Sequence, residues 1–187
     1  MADKRTELEQ AATAAVQRSG LQNLSFRRLA DQVGVKSSSV HYYFPEKADL
    51  AGALIKNYTK GLVEQIETIN QQSNSLSDIL DGLVNIFAQV IEADNFCLCG
   101  MMAAEVATLS EENRQLLSRF FEITEDWLCD ALTENQHQIS SPLDSRNLAR
   151  LIISGLEGAI LLDRVDGDSH RLNAQREMLQ HLVRGSE

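Results

Sequence analysis

Polar and aromatic side chains cluster between residues 37 and 47 of this chain of 187 residues. Three consecutive serines are followed by a histidine, two tyrosines and, four residues further on, a lysine. Serine hydroxyls donate and accept hydrogen bonds, so they can contact base edges, while tyrosine hydroxyls and a lysine ammonium suit phosphate oxygens. The chemistry predicted for this stretch is hydrogen bonding to a nucleic acid. Its candidate residues are Ser37, Ser38, Ser39, His41, Tyr42, Tyr43 and Lys47.

Two short helices joined by a tight turn are predicted to position these side chains. Ser25 suits the N-cap of the first helix, and Gly34 suits the left-handed residue that ends it. The second helix begins at Ser37 and ends before Pro45. Such a pair is a helix-turn-helix, whose second helix enters the DNA major groove. A plain helical hairpin with a polar outer face is the alternative. The apolar face of the first helix consists of Phe26, Leu29, Ala30 and Val33.

The segment GVKSSSVHYYFPEKADL closely resembles the helix-turn-helix signature of the TetR (tetracycline repressor) family of bacterial regulators. The resemblance is strong over about the first fifty residues, and His41 stands where the family most often has tyrosine. It implies an all-α protein with a three-helix DNA-binding head at residues 1–48 and a helical ligand-binding and dimerisation body at 49–187. The motif places Arg27, Ser37, Ser38 and His41 at base edges. It places Ser25, Ser39, Tyr42, Tyr43 and Lys47 on the DNA backbone.

Charge is divided unevenly along the chain, whose net charge is −10. Residues 1–48 contain seven Lys or Arg and five Asp or Glu, a net +2; residues 49–187 contain ten and 22, a net −12. A DNA-binding head on an acidic body is consistent with this division. The charged N-terminus shows no signal peptide, no stretch is long enough to span a bilayer, and three cysteines suggest reduced thiols. We therefore expect a cytoplasmic protein without membrane contact.

Hydrophobic periodicity predicts helices throughout the rest of the chain. One long helix should run from about 46 to 69, and later helices should be capped by Ser77 and Ser141, the latter followed by Pro142 at the first helical position. The remaining predicted helices cover residues 3–19, about 98–109 and from 110 onward.

The last two predicted helices, about 145–165 and 170–184, carry regular apolar stripes. They either complete the core of a monomer or, as the TetR resemblance implies, pair with their copies in a homodimer. The stripe of the first consists of Leu148, Leu151, Ile152, Gly155, Ala159 and Leu162. We expect the dimer because helix-turn-helix proteins usually bind two half-sites.

Chemistry other than DNA binding has little support. The Cys97-Leu98-Cys99 pair has no further cysteine pair or histidine cluster for a metal, and no phosphate loop or catalytic triad is visible. No cofactor and no catalytic residue are predicted. A thiol at the start of a helix is more reactive, so Cys97 or Cys99 could sense electrophiles, as cysteines at a similar place do in some TetR-family members. The simpler interpretation makes both small buried hydrophobic residues.

The resemblance also implies an effector pocket among the central helices. The candidate lining residues are Phe87, Cys99, Met102, Phe120 and Trp127, although such residues are more often simply core. Glu105 could orient a polar or cationic ligand or face water. The predicted function is a dimeric repressor that binds a palindromic operator and is released by a small molecule, and the protein is not expected to be an enzyme. The alternative is a small-molecule-binding or thiol-dependent helical protein without specific DNA binding.

Overall fold

The computed structural model describes residues 3–183, and every named element within them is a helix or a 3-10 turn. The predicted all-α fold is confirmed. The described part contains nine α-helices, with short 3-10 turns at Val106–Thr108 and Gln136–Gln138. The helices are α1 (Lys4–Ser19), α2 (Phe26–Val33), α3 (Ser37–Tyr43), α4 (Lys47–Gln72), α5 (Leu76–Glu92), α6 (Leu98–Ala104), α7 (Glu111–Glu134), α8 (Ser145–Asp166) and α9 (His170–Leu182).

The chain divides into two compact units, and the divisions fall inside α4, between α5 and α6, and inside α7. The first unit contains the chain up to Gly61 together with Asn95–Phe120. In it α1 packs on α2 and α6, and α2 packs on α3. Its buried core includes Leu8, Val16, Leu29, Val40, Phe44, Leu50 and Leu54.

The turn between α2 and α3 forms as its residues dictate. The Ser25 side chain accepts a hydrogen bond from the N–H of Arg28 at the start of α2. Gly34 ends α2 with φ 71° and ψ 37°, a left-handed conformation that costs a residue with a Cβ more than it costs glycine. Val40 and Phe44 are buried, so they dock α3 on the core and leave its other face outward.

The second unit contains Leu62–Asp94 and the chain from Phe121 onward. Here α5 packs on both α8 and α9, and α8 packs on α9. Asp163 of α8 is fully buried and accepts hydrogen bonds from the backbone N–H groups of Arg171 (3.0 Å) and Leu172 (2.9 Å). Because these N–H groups lie in the first turn of α9, where no helical carbonyl can reach them, Asp163 joins the two helices.

Several predicted helix ends are wrong by a few residues. Helix α4 continues to Gln72, and Ser75 rather than Ser77 caps α5. Helix α8 begins after Asp144 rather than at Ser141-Pro142, because the Asp144 carboxylate accepts from the N–H of Asn147 at 2.8 Å. Helix α6 ends at Ala104, and a 3-10 turn follows in place of its predicted last turn. Residue 184, the predicted end of the last helix, lies outside the described residues.

Hydropathy gives no membrane segment in the described residues, because none of their helices is both long and apolar enough to cross a bilayer.

Candidate DNA-binding surface and effector region

The outward face of α3 is polar. Ser37, Ser38, His41 and Tyr42 are exposed, and Tyr42 retains 80% of its accessible surface. Val40, on the opposite face, is buried, so α3 packs on the core through that face alone. A seven-residue helix presenting hydroxyls, an imidazole and a phenol to solvent is chemically suited to hydrogen-bond acceptors and donors on DNA.

Two ring contacts orient the aromatic groups on this face. The His41 ring lies edge-on to Phe26, with centroids 5.0 Å apart, and its Nδ1 is 3.3 Å from the carbonyl oxygen of Pro45. When Nδ1 carries the proton it donates to that carbonyl, and Nε2 is then an acceptor. The rings of Tyr42 and Tyr43 meet edge to face at 5.2 Å. The His41 imidazole therefore has a backbone partner, whereas the Tyr42 phenol contacts one neighbouring ring and stays largely exposed.

The remaining predicted DNA contacts differ in exposure. Arg27 on α2 and Lys47 at the start of α4 are exposed, whereas Ser25, Ser39 and Tyr43 are half-buried. Ser25 already uses its hydroxyl oxygen to cap α2. Helices α2 and α3 pack together, which places this set of residues on neighbouring elements of the first unit.

Lys47 has intramolecular partners. Its ammonium donates to the carbonyl oxygens of Leu21 at 3.3 Å and Gln22 at 3.1 Å, in the turn between α1 and α2. Since an ammonium has three donors, one is left for another acceptor. Within residues 3–183 Lys47 forms no ion pair, so its charge is not neutralised there.

The same turn is bound from its other side by Glu105, directly after α6. The Glu105 carboxylate accepts hydrogen bonds from the N–H groups of Leu21 (2.8 Å) and Gln22 (3.1 Å). Gly20 permits this approach, because a Cβ at that position would collide with the carboxylate. We name this arrangement, in which Glu105 and Lys47 hold the backbone of Leu21 and Gln22, the turn clamp.

Sequence reasoning missed the turn clamp. Glu105 was expected to meet a ligand or water, but it binds backbone N–H groups 83 and 84 residues earlier in the chain. Hydrogen bonds between residues so far apart in the chain produce no periodic pattern in the local sequence. The available signal was Gly20, which has φ 83° and lies against the carboxylate.

The five residues predicted to line an effector pocket are distributed over both units. Cys99, Met102 and Phe120 belong to the first unit and are buried; the Phe120 ring lies 5.6 Å from that of Tyr58. Phe87 and Trp127 belong to the second, where Phe87 is buried and the Trp127 indole N–H donates to Asn70 Oδ1 at 2.9 Å. Their participation in one pocket stays a prediction.

The three cysteines form no disulfide bond with one another, and they differ in exposure. Cys97 caps α6, its sulfur accepting from the N–H of Gly100 at 3.4 Å, and retains 5% of its surface. Cys99 is fully buried, and Cys129 is half-buried. Among residues 3–183 no group of three or more His, Cys, Asp or Glu side chains is arranged to hold a metal ion.

Helix α8 has an exposed face of a different kind. Leu151, Leu162 and Val165 retain 60%, 50% and 80% of their surface. Their spacings of 11 and 3 residues place them on one side of the helix, and Gly158 lies between them in the same register. On α9 the side chain of Met178 is also exposed. An aliphatic stripe open to solvent is typical of a surface that another protein covers.

Family models match both parts of the chain. Residues 9–54 match the model described as bacterial regulatory proteins of the tetR family, and 74–178 match the C-terminal domain of LmrA/YxaF-like transcriptional regulators. The chain belongs to the TetR family of transcriptional regulators. Membership in the TetR family supports a DNA-binding, ligand-responsive regulator rather than the alternative of a thiol-dependent enzyme or carrier.

A solved structure and two curated relatives extend the likeness to most of the chain. A TetR regulator from Legionella pneumophila superimposes with a TM-score of 0.91 at 27% identity, covering 98% of this chain and 99% of that one. The nucleoid occlusion factor SlmA of Mannheimia succiniciproducens is 26% identical over 76% of this chain and 67% of its own. The nicotine-responsive repressor HdnoR of Paenarthrobacter nicotinovorans is 22% identical over 85% and 82%.

Proposed function

We propose that this TetR-family protein is a repressor that binds a palindromic operator as a homodimer and leaves it when a small molecule binds the body. The observation that carries the proposal is the outward polar face of α3, held above a buried apolar face by Val40. The head, residues 1–48, has a net charge of +2 in a chain of −10. Positive charge at the reading surface and negative charge elsewhere favour binding through the head alone. A cytoplasmic location accords with access to the operator.

The proposed contacts divide into two classes. The base edges are contacted by Arg27, Ser37, Ser38 and His41. Their side chains are exposed and offer hydrogen-bond donors and acceptors. The backbone contacts are Ser25, Ser39, Tyr42, Tyr43 and Lys47. For Lys47 the third ammonium donor is the group that meets a phosphate oxygen.

The exposed stripe of α8 supports the homodimer. Leu151, Leu162 and Val165 expose hydrocarbon that pairing with the same stripe of a second copy would remove from water. Helix α9, joined to α8 by Asp163, supplies the second helix of the proposed interface.

The turn clamp is the proposed route by which effector binding reaches the head. Glu105 follows α6 directly, so a shift of α6 moves the carboxylate that holds Leu21 and Gln22. The effector releases DNA only if it binds the shifted state more tightly than the DNA-bound state. The proposed pocket residues remain Phe87, Cys99, Met102, Phe120 and Trp127.

A non-covalent effector is favoured over a thiol-reactive one. Cys97 and Cys99 retain 5% and 0% of their surface, so an electrophile reaches either thiol only after local opening. An adduct at Cys97 or Cys99 that releases DNA, and that is lost in the Cys→Ser variants, would reverse this preference.

Two substitutions test the DNA contacts. Lys47→Ala should weaken binding to all duplexes and reduce the slope of log K against log salt by about one, because one phosphate contact is lost. Arg27→Ala should cost about 1–3 kcal/mol and relax the preference at one base position. Fluorescence titrations over a range of salt concentrations and duplex variants measure both effects. A change of base preference in Lys47→Ala with an unaltered salt slope would contradict the division of roles.

A further inference from the structure

A cavity of about 330 Å³ lies in the first unit, beside the turn clamp. Its walls come from the turn after α1, the first turns of α4, and the segment that leads into α7. None of the residues proposed for the effector pocket lines it. Its volume is at the lower end of the range of small-molecule sites.

Among the described residues that line the cavity, Lys47 alone has a charged side chain, its ammonium group. Gln22, Ser110 and Asn113 add uncharged polar groups, and Leu21 and Leu109 add hydrocarbon. The chain has a net charge of −10, so the positive charge of this lining is opposite in sign to the net charge of the molecule. Because Lys47 uses two of its three donors on carbonyl oxygens and forms no ion pair within residues 3–183, the third donor can take an anionic oxygen.

The first turns of two long helices strengthen this preference for an anion. Lys47 begins α4, and Ser110 precedes α7, accepting from the N–H of Asn113 at 3.3 Å. The partial positive charge at a helix start favours a bound anion. Asn113 is buried and donates to the carbonyl oxygen of Ala48 at 2.9 Å, which fixes the two helix starts beside each other.

Three carboxylates of neighbouring segments have other partners. Glu105 binds the N–H groups of Leu21 and Gln22. In the first turn of α7, Glu111 and Glu112 are exposed, and they pair at 3.9 Å with Arg114 and Lys56 respectively. None of these three carboxylates lines the cavity.

We propose that this cavity binds a small organic carboxylate. The carboxylate accepts from the free donor of Lys47, and the hydrocarbon body lies against Leu21, Ala51 and Leu109. A single ammonium matches a single negative charge, whereas the apolar wall favours an organic chain over an inorganic anion.

One consequence rests on the proposed function. If Lys47 contacts a DNA phosphate through the same donor, a carboxylate in the cavity competes with the operator. Binding to the free protein requires no DNA, so the site and the competition are tested separately.

The direct test is calorimetric titration of the full chain with hexanoate, with hexanamide as the neutral analogue and inorganic phosphate as the inorganic anion. Hexanoate should bind with one site per chain and a Kd of about 1 mM, as expected for so small a ligand. Hexanamide and phosphate should bind at least about tenfold more weakly. Equal binding of either one, or no saturable binding of hexanoate, would overturn the proposal.

Three variants locate the site. Lys47→Gln removes the charge and Ala48→Leu fills the cavity, so each should raise the hexanoate Kd about tenfold or more. Lys56→Gln removes the same charge from the same helix outside the cavity and should leave the Kd within about twofold. In protein labelled with ¹³C at alanine methyls, Ala48 and Ala51 should shift on binding and Ala159 of α8 should not. Unchanged affinity in both Lys47→Gln and Ala48→Leu would place hexanoate elsewhere and refute the site.

Operator binding supplies the last readout. With hexanoate at ten times its Kd, the apparent operator Kd should rise about tenfold for each chain of the homodimer in which hexanoate excludes the phosphate from the Lys47 donor. Calorimetric binding with an unaltered operator affinity would retain the site and overturn the competition.

Discussion

The exposed faces of α3 and α8 differ in chemistry although both belong to helices held from behind by buried aliphatic side chains. On α3, solvent meets Ser38, His41 and Tyr42; on α8 it meets Leu151 and Val165. DNA presents charged phosphates and polar base edges. A face of hydrogen-bonding groups can bind both without burying apolar surface. Aliphatic groups favour contact with a second protein surface, because their removal from water stabilises the complex. The difference identifies one face as suited to a nucleic acid and the other to a protein.

The largest effect should come from placing a charge in the apolar face of α8. Leu162→Glu leaves the monomer fold intact, since Leu162 is half exposed, but buries a carboxylate in the proposed dimer interface. An unpaired buried charge of this kind costs about 3–5 kcal/mol, which would raise the dimer dissociation constant about 100- to 5,000-fold. Sedimentation equilibrium over a range of concentrations measures that constant.

The matched control is Val106→Glu, which puts the same charge at another exposed aliphatic residue, in the 3-10 turn after α6. It should leave the dimer constant unchanged. A wild-type protein that is monomeric at about 10 μM, or a Leu162→Glu variant that stays dimeric, would remove the proposed role of this face.

The next effect concerns the buried side of α8, which keeps α9 in place. Burial alone would raise the pKa of Asp163, but the N–H groups of Leu172 and Arg171 and the Arg171 guanidinium outweigh it, so the pKa lies below its ordinary value. Asp163→Ala leaves those donors without their acceptor and should lower the free energy of unfolding by about 2–4 kcal/mol at pH 7. Asp166→Ala removes the exposed partner of the same arginine, at 2.6 Å, and should cost less than about 1 kcal/mol.

The pH dependence of Asp163→Ala has a definite sign. Because the folded-state pKa is depressed, the stabilisation is complete above the ordinary carboxyl pKa of about 4 and is lost as the pH falls through the lower folded value. The stability difference between wild type and Asp163→Ala should therefore narrow below about pH 4 in urea titrations. A difference that widened there would contradict the assigned protonation state.

A smaller effect should appear where the head is held by polar contacts. Glu105→Ala removes the acceptor of the Leu21 and Gln22 N–H groups, so their hydrogen exchange should quicken about tenfold or more. Glu112→Ala, an exposed carboxylate nearby, should leave both rates unchanged. Equal exchange in the wild type and in Glu105→Ala would show that the clamp does not restrain the turn.

The contrast between the two faces also explains what the sequence could predict. At α3, polar and apolar residues alternate cleanly in helical register, so Val40 and Phe44 inward and Ser38 and His41 outward follow from spacing alone, and both assignments are confirmed. At α8 aliphatic residues lie on both the buried and the exposed sides of the helix. The predicted stripe accordingly mixed buried Leu148, Ile152 and Ala159 with exposed Leu151 and Leu162.

Helix ends and long-range polar pairs were less accessible to sequence reasoning. Both Ser141 and Asp144 are suitable N-cap residues for α8. Asp144 is the N-cap in the structure, because its carboxylate accepts a hydrogen bond from the N–H of Asn147. The turn clamp and the cap that Asp163 places on α9 depend on which elements the fold brings together. Neither leaves a periodic signal in the chain.

Selection of DNA from a pool of random duplexes tests the central claim most directly. The full chain should enrich a palindrome whose half-sites lie about 10 base pairs apart or a multiple of this, because two α3 helices related by a two-fold axis must enter successive major grooves. Sedimentation of the complex should give an even number of chains per duplex. Enrichment of no sequence, or of a single half-site bound by one chain, would contradict the account of a dimeric operator-binding regulator.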